Sequence, residues 1–88
     1  SDSKIILTTI FPSRENKPRP NSRIDKFNEL LKITAEKRNA LFFDLNKLMK
    51  DESNQLKKEF TDDGLHLTES AYNLWRDELV KLIQKFFD

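Results

Sequence analysis

His66 is the single histidine of the 88-residue chain, and Asp63 stands three residues before it with the single glycine, Gly64, between them. A carboxylate that near can bond one imidazole nitrogen, which fixes the tautomer of the ring and stabilises the imidazolium. The other ring nitrogen is then free to take a proton from a hydroxyl group. Gly64 permits a tight turn that brings both side chains to one side. The pair therefore indicates general-base chemistry, although a lone histidine just before a helix more often has a structural role.

Other polar and aromatic residues admit two interpretations each. Asp62, together with the Asp63–His66 pair, could supply three ligands to zinc or manganese, but we favour a loop role and expect no metal. Asp44 follows an apolar run, where open α/β sheets place functional groups, yet a capping carboxylate is the more frequent role. Tyr72 and Trp75 could form a ligand platform, but their place on an apolar helical stripe favours the core. The basic loop from Arg14 to Arg23 is typical of a solvated loop, with substrate contact as the alternative.

Short apolar runs and helical periodicity predict the elements that must position these residues. Lys4 to Ile10 and Ala40 to Leu45 are predicted as buried strands. Between them we expect a helix that is capped by Asn21 or Ser22 and ends near Arg38. Strand, helix and strand form a βαβ unit, whose strands pair in parallel. The apolar face predicted for this helix consists of Ile24, Phe27, Leu30, Leu31 and Ala35.

The last helix is the clearest element of the sequence. Thr68 is its predicted N-cap. A helical turn from Leu45 to Met49 and a charged stretch from Lys50 to Glu59 precede it. The apolar stripe predicted for the last helix consists of Tyr72, Trp75, Leu79, Leu82, Ile83 and Phe86.

Composition excludes several classes of function. Charged residues make up 35% of the chain and balance to +1, so we expect no nucleic-acid partner. The absence of cysteine excludes disulfides and thiol catalysis and leaves the compartment open. No apolar run approaches the roughly 18 residues of a membrane span. A single glycine leaves no glycine-rich phosphate loop, and we expect no cofactor.

The stretch from Asp63 to Thr68 (Asp-Gly-Leu-His-Leu-Thr), followed by Ala71-Tyr72 and Trp75, resembles the last conserved block of SGNH/GDSL serine ester hydrolases. Ile6 to Pro12 and Arg23 to Asn28 resemble the preceding βα unit of that family. The resemblance covers nearly the whole chain and is nearest to the platelet-activating-factor-acetylhydrolase-like and lysophospholipase-like branches. Ala71 is a departure, because many members have glycine there.

The resemblance implies an α/β fold: residues 1–88 would form the C-terminal part of one flavodoxin-like three-layer α/β/α domain, with two parallel strands and helices. It implies that Asp63 and His66 are the catalytic acid–base pair of a Ser-His-Asp triad. The family's Gly-Asp-Ser block with the nucleophile, and the two blocks of its oxyanion hole, are absent from the sequence. Ser13 is the one serine that merits testing as a substitute nucleophile. We therefore expect these 88 residues alone to be inactive.

The same resemblance implies small ester substrates, such as acetylated carbohydrates or lipids. The partner would be the N-terminal half of the same enzyme, or a second copy joined through the open edge of the first strand. A non-catalytic α/β interaction module is the alternative hypothesis.

Overall fold

The computed structural model describes residues 5–15 and 20–87. Lys4 of the predicted first strand, and residues 16–19 of the predicted basic loop, lie outside the described residues. In chain order the elements are β1 (Ile6–Thr8), α1 (Asn21–Lys37), β2 (Leu41–Phe43), α2 (Leu45–Met49), a 3₁₀ turn (Lys58–Phe60) and α3 (Glu69–Phe87).

The two strands pair in parallel, with Ile6 opposite Leu41 and Thr8 opposite Phe43, and α1 makes the crossover between them. The predicted βαβ unit is therefore confirmed. Both strands are shorter than predicted, because the chain beyond β1 turns to other partners. The N–H of Ile10 donates to Asn28 Oδ1 at 2.7 Å, and its C=O accepts from Asn28 Nδ2 at 2.9 Å.

The core lies between β2, α2, the 3₁₀ turn and α3. Ala71 in the first turn of α3 and Met49 of α2 are fully buried, and Leu45 of α2 is buried nearly as completely. Thr68 is the N-cap of α3, as predicted, since its hydroxyl accepts from the Ala71 N–H at 3.4 Å. The core consists of Phe43, Leu45, Met49, Leu56, Phe60 and Ala71, with Leu74, Trp75, Leu79 and Leu82 of α3 packed against it.

The apolar faces predicted for the two long helices are wrong in part. Phe27 and Leu30 of α1 are 51% and 62% exposed, because α1 turns a different stripe to the strands. The buried residues of that stripe are Asn21, Ile24, Asn28 and Ala35. On α3, Tyr72 is 54% exposed, which corrects its assignment to the core.

The predicted cap of α1 is also wrong. The helix already begins at Asn21, and Pro20 occupies the cap position without a side-chain hydrogen bond. The Asn21 side chain instead accepts from the Ser13 N–H at 2.7 Å and donates to the Ser13 C=O at 2.9 Å. This asparagine therefore fixes the loop after β1 to the start of α1. None of the described helices is long and apolar enough to cross a bilayer.

Candidate active site

Asp63 and His66 lie on the turn that joins the 3₁₀ turn to α3. Asp63 Oδ2 is 2.6 Å from His66 Nδ1, so the hydrogen bond predicted from the sequence is present. The other carboxylate oxygen, Oδ1, accepts from the backbone N–H groups of Leu65 and His66, both at 2.8 Å. The turn therefore holds the carboxylate by one oxygen and presents the other to the imidazole. The His66 side chain is 77% exposed.

The electrostatics of the pair determine which imidazole nitrogen carries the proton. The hydrogen bond from the His66 side chain is the largest cause that holds the pKa of Asp63 below its ordinary value of 3.8, and the backbone N–H groups of His66 and Leu65 lower it further. Asp63 is therefore ionised at neutral pH and can only accept hydrogen bonds. Nδ1 of the neutral imidazole must then be the donor, which leaves the lone pair on Nε2. Among the residues that the structure describes, none is hydrogen-bonded to Nε2.

Gly64 makes the turn possible, as its position in the sequence suggests. Its φ is +85°, in the region that favours glycine. Its N–H donates to Thr61 Oγ1 at 2.9 Å, and its C=O accepts from the Arg14 N–H at 3.0 Å. A Cβ at this position would stand 2.8 Å from the carbonyl oxygen of Arg14. Both the backbone angle and the close approach of the Arg14 loop therefore require glycine here.

Ser13 and Asp44 have structural partners. Ser13 is buried, and its hydroxyl donates to Asn21 Oδ1 at 3.1 Å, so it belongs to the framework of the loop after β1. Asp44 accepts from the Lys47 N–H at 3.2 Å and from the Thr9 hydroxyl at 3.1 Å. Asp44 therefore caps α2, which was the favoured interpretation.

The remaining candidates do not join the Asp63–His66 pair. Asp62 is exposed, and within residues 5–15 and 20–87 no three His, Cys, Asp or Glu side chains gather as metal ligands. Tyr72 and Trp75 stack with ring centroids 6.1 Å apart on α3. Arg14, from the predicted basic loop, forms an ion pair with Asp51 at 3.0 Å.

Two residues that support the turn were not identified by reasoning from the sequence. Thr61 is buried, and its hydroxyl accepts from Gly64 and lies 3.4 Å from Asp63 Oδ1. A threonine two residues before an aspartate is a local signal that could have indicated this role. The Arg14 backbone comes from 50 residues earlier in the chain, and no periodic pattern marks it.

Residues 1–74, which include this turn, match the GDSL-like lipase/acylhydrolase family. The chain belongs to this family. Two curated proteins are similar to it. One is an N-acylneuraminate cytidylyltransferase of Escherichia coli, 29% identical over 93% of this chain and 19% of its own length. The other is the isoamyl acetate-hydrolyzing esterase of Saccharomyces cerevisiae, 29% identical over 78% of this chain and 29% of its own length.

Solved structures of the family share the fold. A candidate acylhydrolase of Bacteroides fragilis is 28% identical, with a TM-score of 0.81 over 97% of this chain and 44% of that protein. A candidate platelet activating factor protein of Streptococcus pneumoniae is also 28% identical, with a TM-score of 0.82 over 92% of this chain and 42% of that protein. The α/β fold and the family that the sequence resemblance implied are therefore confirmed. The chain spans less than half the length of these relatives.

Proposed function

We propose that the domain to which this chain contributes is a serine ester hydrolase, and that Asp63 and His66 are the acid–base pair of its triad. The observation that supports this most is the 2.6 Å contact between Asp63 Oδ2 and His66 Nδ1 on an exposed turn. This contact favours the tautomer that a general base requires, with the Nε2 lone pair directed away from the carboxylate, and so supports the proposal. The family to which the chain belongs consists of lipases and acylhydrolases, which agrees with this chemistry.

In the proposed mechanism, a serine from outside these 88 residues attacks the ester carbonyl while His66 Nε2 takes the hydroxyl proton. The negative charge of Asp63 stabilises the imidazolium that forms. Nε2–H then gives its proton to the alcohol oxygen as the C–O bond breaks, leaving an acyl-enzyme. A water molecule, deprotonated by the same nitrogen, attacks the acyl carbonyl, and the acid is released as the proton returns to the serine.

The substrates in this proposal are esters of small acyl groups, acetyl above all, on a carbohydrate or a lipid. The yeast relative, named for hydrolysis of isoamyl acetate, supports a short acyl group. Substrate profiling with acetyl, butyryl and octanoyl esters is the direct measurement of the acyl chain length.

We also propose that the rest of a complete acylhydrolase domain pairs with the outer edge of β1. Ile5 C=O and Thr9 N–H bond to β2, so the backbone groups of Ile6 and Thr8, between them, face the other side. In flavodoxin-like sheets the later strands are neighbours in chain order, and a strand preceding β1 would therefore lie along that edge. Relatives more than twice as long as this chain have the residues to supply it.

Mutation of His66 tests the proposed function. The protein to use is the complete domain, meaning the polypeptide that contains both this chain and a Gly-Asp-Ser segment. We expect His66→Ala to lower kcat for p-nitrophenyl acetate by at least about 10³-fold while the circular dichroism spectrum is unchanged. Asp62→Ala is the matched control, because Asp62 is an exposed neighbour on the same turn. Activity of the His66 variant within a few-fold of the wild type would remove His66 from the mechanism, and a wild type without esterase activity would support the non-catalytic interaction module instead.

Size-exclusion chromatography with light scattering tests the proposed pairing along the outer edge of β1. We expect the 88-residue chain to self-associate or to bind a co-expressed upstream half, and the bound pair to unfold cooperatively. A monomer of 10.5 kDa that unfolds cooperatively and ignores the upstream half would contradict the proposal. A stable homodimer that does not dissociate in the presence of the upstream half would show that a second copy occupies the edge instead.

A further inference from the structure

Arg14 ties three parts of the chain together. Its backbone N–H donates to the Gly64 C=O at 3.0 Å, at the tip of the turn that carries Asp63 and His66. Its guanidinium Nη1 lies 3.0 Å from both Asp51 Oδ2 and the Leu56 C=O. The arginine is thus held by its side chain on one segment while its backbone contacts another.

The residues beside Arg14 strengthen the attachment to the 51–56 segment. The Ser13 C=O accepts from the Leu56 N–H at 3.1 Å, and the Glu15 N–H donates to Gln55 Oε1 at 2.8 Å. The pKa of Asp51 is lowered, first by the Gln55 N–H and then by the Arg14 side chain, so the carboxylate remains charged opposite the guanidinium. Loop 13–15 is therefore fixed on the side away from the turn.

The hydrogen bonds within the turn have a different role. Thr61 and the Asp63 carboxylate bond to groups three residues away or less, so they shape the turn but do not fix its place in the fold. The bond from Arg14 to Gly64 connects residues 50 positions apart. The backbone of Arg14 also lies so close that a Cβ on Gly64 would meet its carbonyl oxygen at 2.8 Å. A shift of loop 13–15 must therefore move Gly64.

We propose that Arg14 is a positioning residue for the Asp63–His66 pair, acting through the backbone of Gly64. Its guanidinium holds loop 13–15 against Asp51 and Leu56, and the loop in turn sets where the tip of the catalytic turn lies. Its importance for catalysis rests on the proposed function, but its effect on the geometry of His66 can be measured independently. Without the guanidinium, the loop and Gly64 would fluctuate together, and the Asp63–His66 hydrogen bond would be formed for a smaller fraction of the time.

NMR on the ¹⁵N-labelled complete domain tests the effect with Arg14→Ala, Arg14→Lys and the control Arg76→Ala. Arg76 also bonds an aspartate, Asp77, at 3.0 Å, but it is an exposed residue on α3. For Arg14→Ala we expect the His66 amide to exchange about tenfold faster or more, because charge-assisted hydrogen bonds that hold the loop are lost. We also expect the imidazole ¹⁵N shifts to move toward the Nε2–H tautomer.

Arg14→Lys should change the exchange rate and the imidazole shifts less than Arg14→Ala does. A lysine can still bond the Asp51 carboxylate, although it lacks the fixed fork of a guanidinium. Arg76→Ala should match the wild type. Wild-type exchange and imidazole shifts in a folded Arg14→Ala domain would overturn the proposal. If Arg14→Ala does not fold, Arg14→Lys decides: His66 signals identical to the wild type would overturn it equally.

The outcome is separable from that of the proposed function. If the His66 signals respond to Arg14 but His66→Ala keeps its esterase activity, Arg14 positions the turn and the assignment of His66 as the general base fails. If His66→Ala loses activity while the His66 signals ignore Arg14, the hydrolase proposal stands and Arg14 has no positioning role. Where both hold, Arg14→Ala in the complete domain should lower kcat about tenfold or more with KM nearly unchanged.

Discussion

Asp63→Asn should reverse the tautomer of His66, because the turn determines which way an amide at position 63 can face. Oδ1 accepts from the backbone N–H groups of Leu65 and His66 at 2.8 Å, so the amide oxygen must take that position. The NH₂ group then occupies the place of Oδ2, 2.6 Å from Nδ1 in the wild type. An amide nitrogen only donates, and Nδ1 would have to accept from it. The proton moves to Nε2, which can no longer take one from a serine.

The expected loss of activity depends on how strongly the opposite orientation of the amide at position 63 is disfavoured. Turning the amide round would place NH₂ against two backbone N–H donors and leave both without their acceptor, which disfavours it by at least about tenfold. Most molecules would therefore carry the unproductive tautomer. In the complete domain we expect kcat to fall between about 10²- and 10⁴-fold, no more than for His66→Ala. The lower end reflects the exposure of His66, whose ring can also turn to water.

Two measurements check this prediction. Imidazole ¹⁵N spectra of the complete domain should show protonation at Nδ1 in the wild type and at Nε2 in Asp63→Asn. Hydrolysis of p-nitrophenyl acetate by the complete domain should show the loss of kcat. Asp62→Asn, which changes the adjacent exposed carboxylate in the same way, should alter neither. A wild-type tautomer in Asp63→Asn, together with kcat within a few-fold, would refute the reasoning.

Three further predictions concern the framework of the site. Asn28→Ala leaves the Ile10 N–H without its acceptor, so the free energy of unfolding in urea should fall by about 1–3 kcal/mol. Gly64→Ala adds left-handed backbone strain and a collision with the Arg14 carbonyl, together about 2–4 kcal/mol by the same measurement. The lowered pKa of Asp63 means that its contribution to stability is complete above pH 3.8 and is lost as the pH falls below that value. The thermal midpoint should therefore drop more steeply in acid for the wild type than for Asp63→Asn.

Each of these three stability predictions has a control variant or a result that would contradict it. Asn73→Ala changes an exposed asparagine of α3 and should cost less than about 0.5 kcal/mol, so an equal cost for Asn28→Ala would remove the special role of Asn28. At the exposed position 39, where φ is +53°, the difference in unfolding free energy between Asn39→Gly and Asn39→Ala measures the cost of a Cβ in left-handed backbone alone. A Gly64→Ala cost no larger than that would mean that no collision occurs. Parallel acid profiles for the wild type and Asp63→Asn would contradict the third prediction.

The parts of the structure that were predicted correctly depend on short-range relations. Asp63 and His66 are three residues apart with a glycine between them, so the turn and its hydrogen bond follow from local geometry. Thr68 lies directly before an apolar helical stripe, where its hydroxyl can accept from the Ala71 N–H in the first helical turn. The βαβ unit follows because two short apolar runs flank one amphipathic helix. In each case the sequence pattern lies within one element or in a run of consecutive elements, even where, as in the βαβ unit, the paired strands are far apart in the chain.

The parts that were missed depend on partners far away in the chain. Asn21 and Asn28 are buried on the inner face of α1 because they bond the backbone of the loop after β1, and no helical periodicity shows that. Phe27 and Leu30 were assigned to the core because they are apolar, yet burial requires a surface to cover them. The small two-stranded sheet does not provide that surface. The apolar character of a side chain thus predicts that it tends to be buried, but not which part of the fold packs against it.

The division between local and distant contacts also bears on how a complete hydrolase would be assembled. The carboxylate of Asp63 is held by Thr61, Leu65 and His66, and the tip of the turn is held by Arg14, all within the chain described here. Under the proposed function, the acid–base pair would be formed within this chain, and a partner segment would have to bring only its serine to an imidazole that is already oriented. Such preorganisation lowers the cost of completing the triad, because only one member has to be positioned.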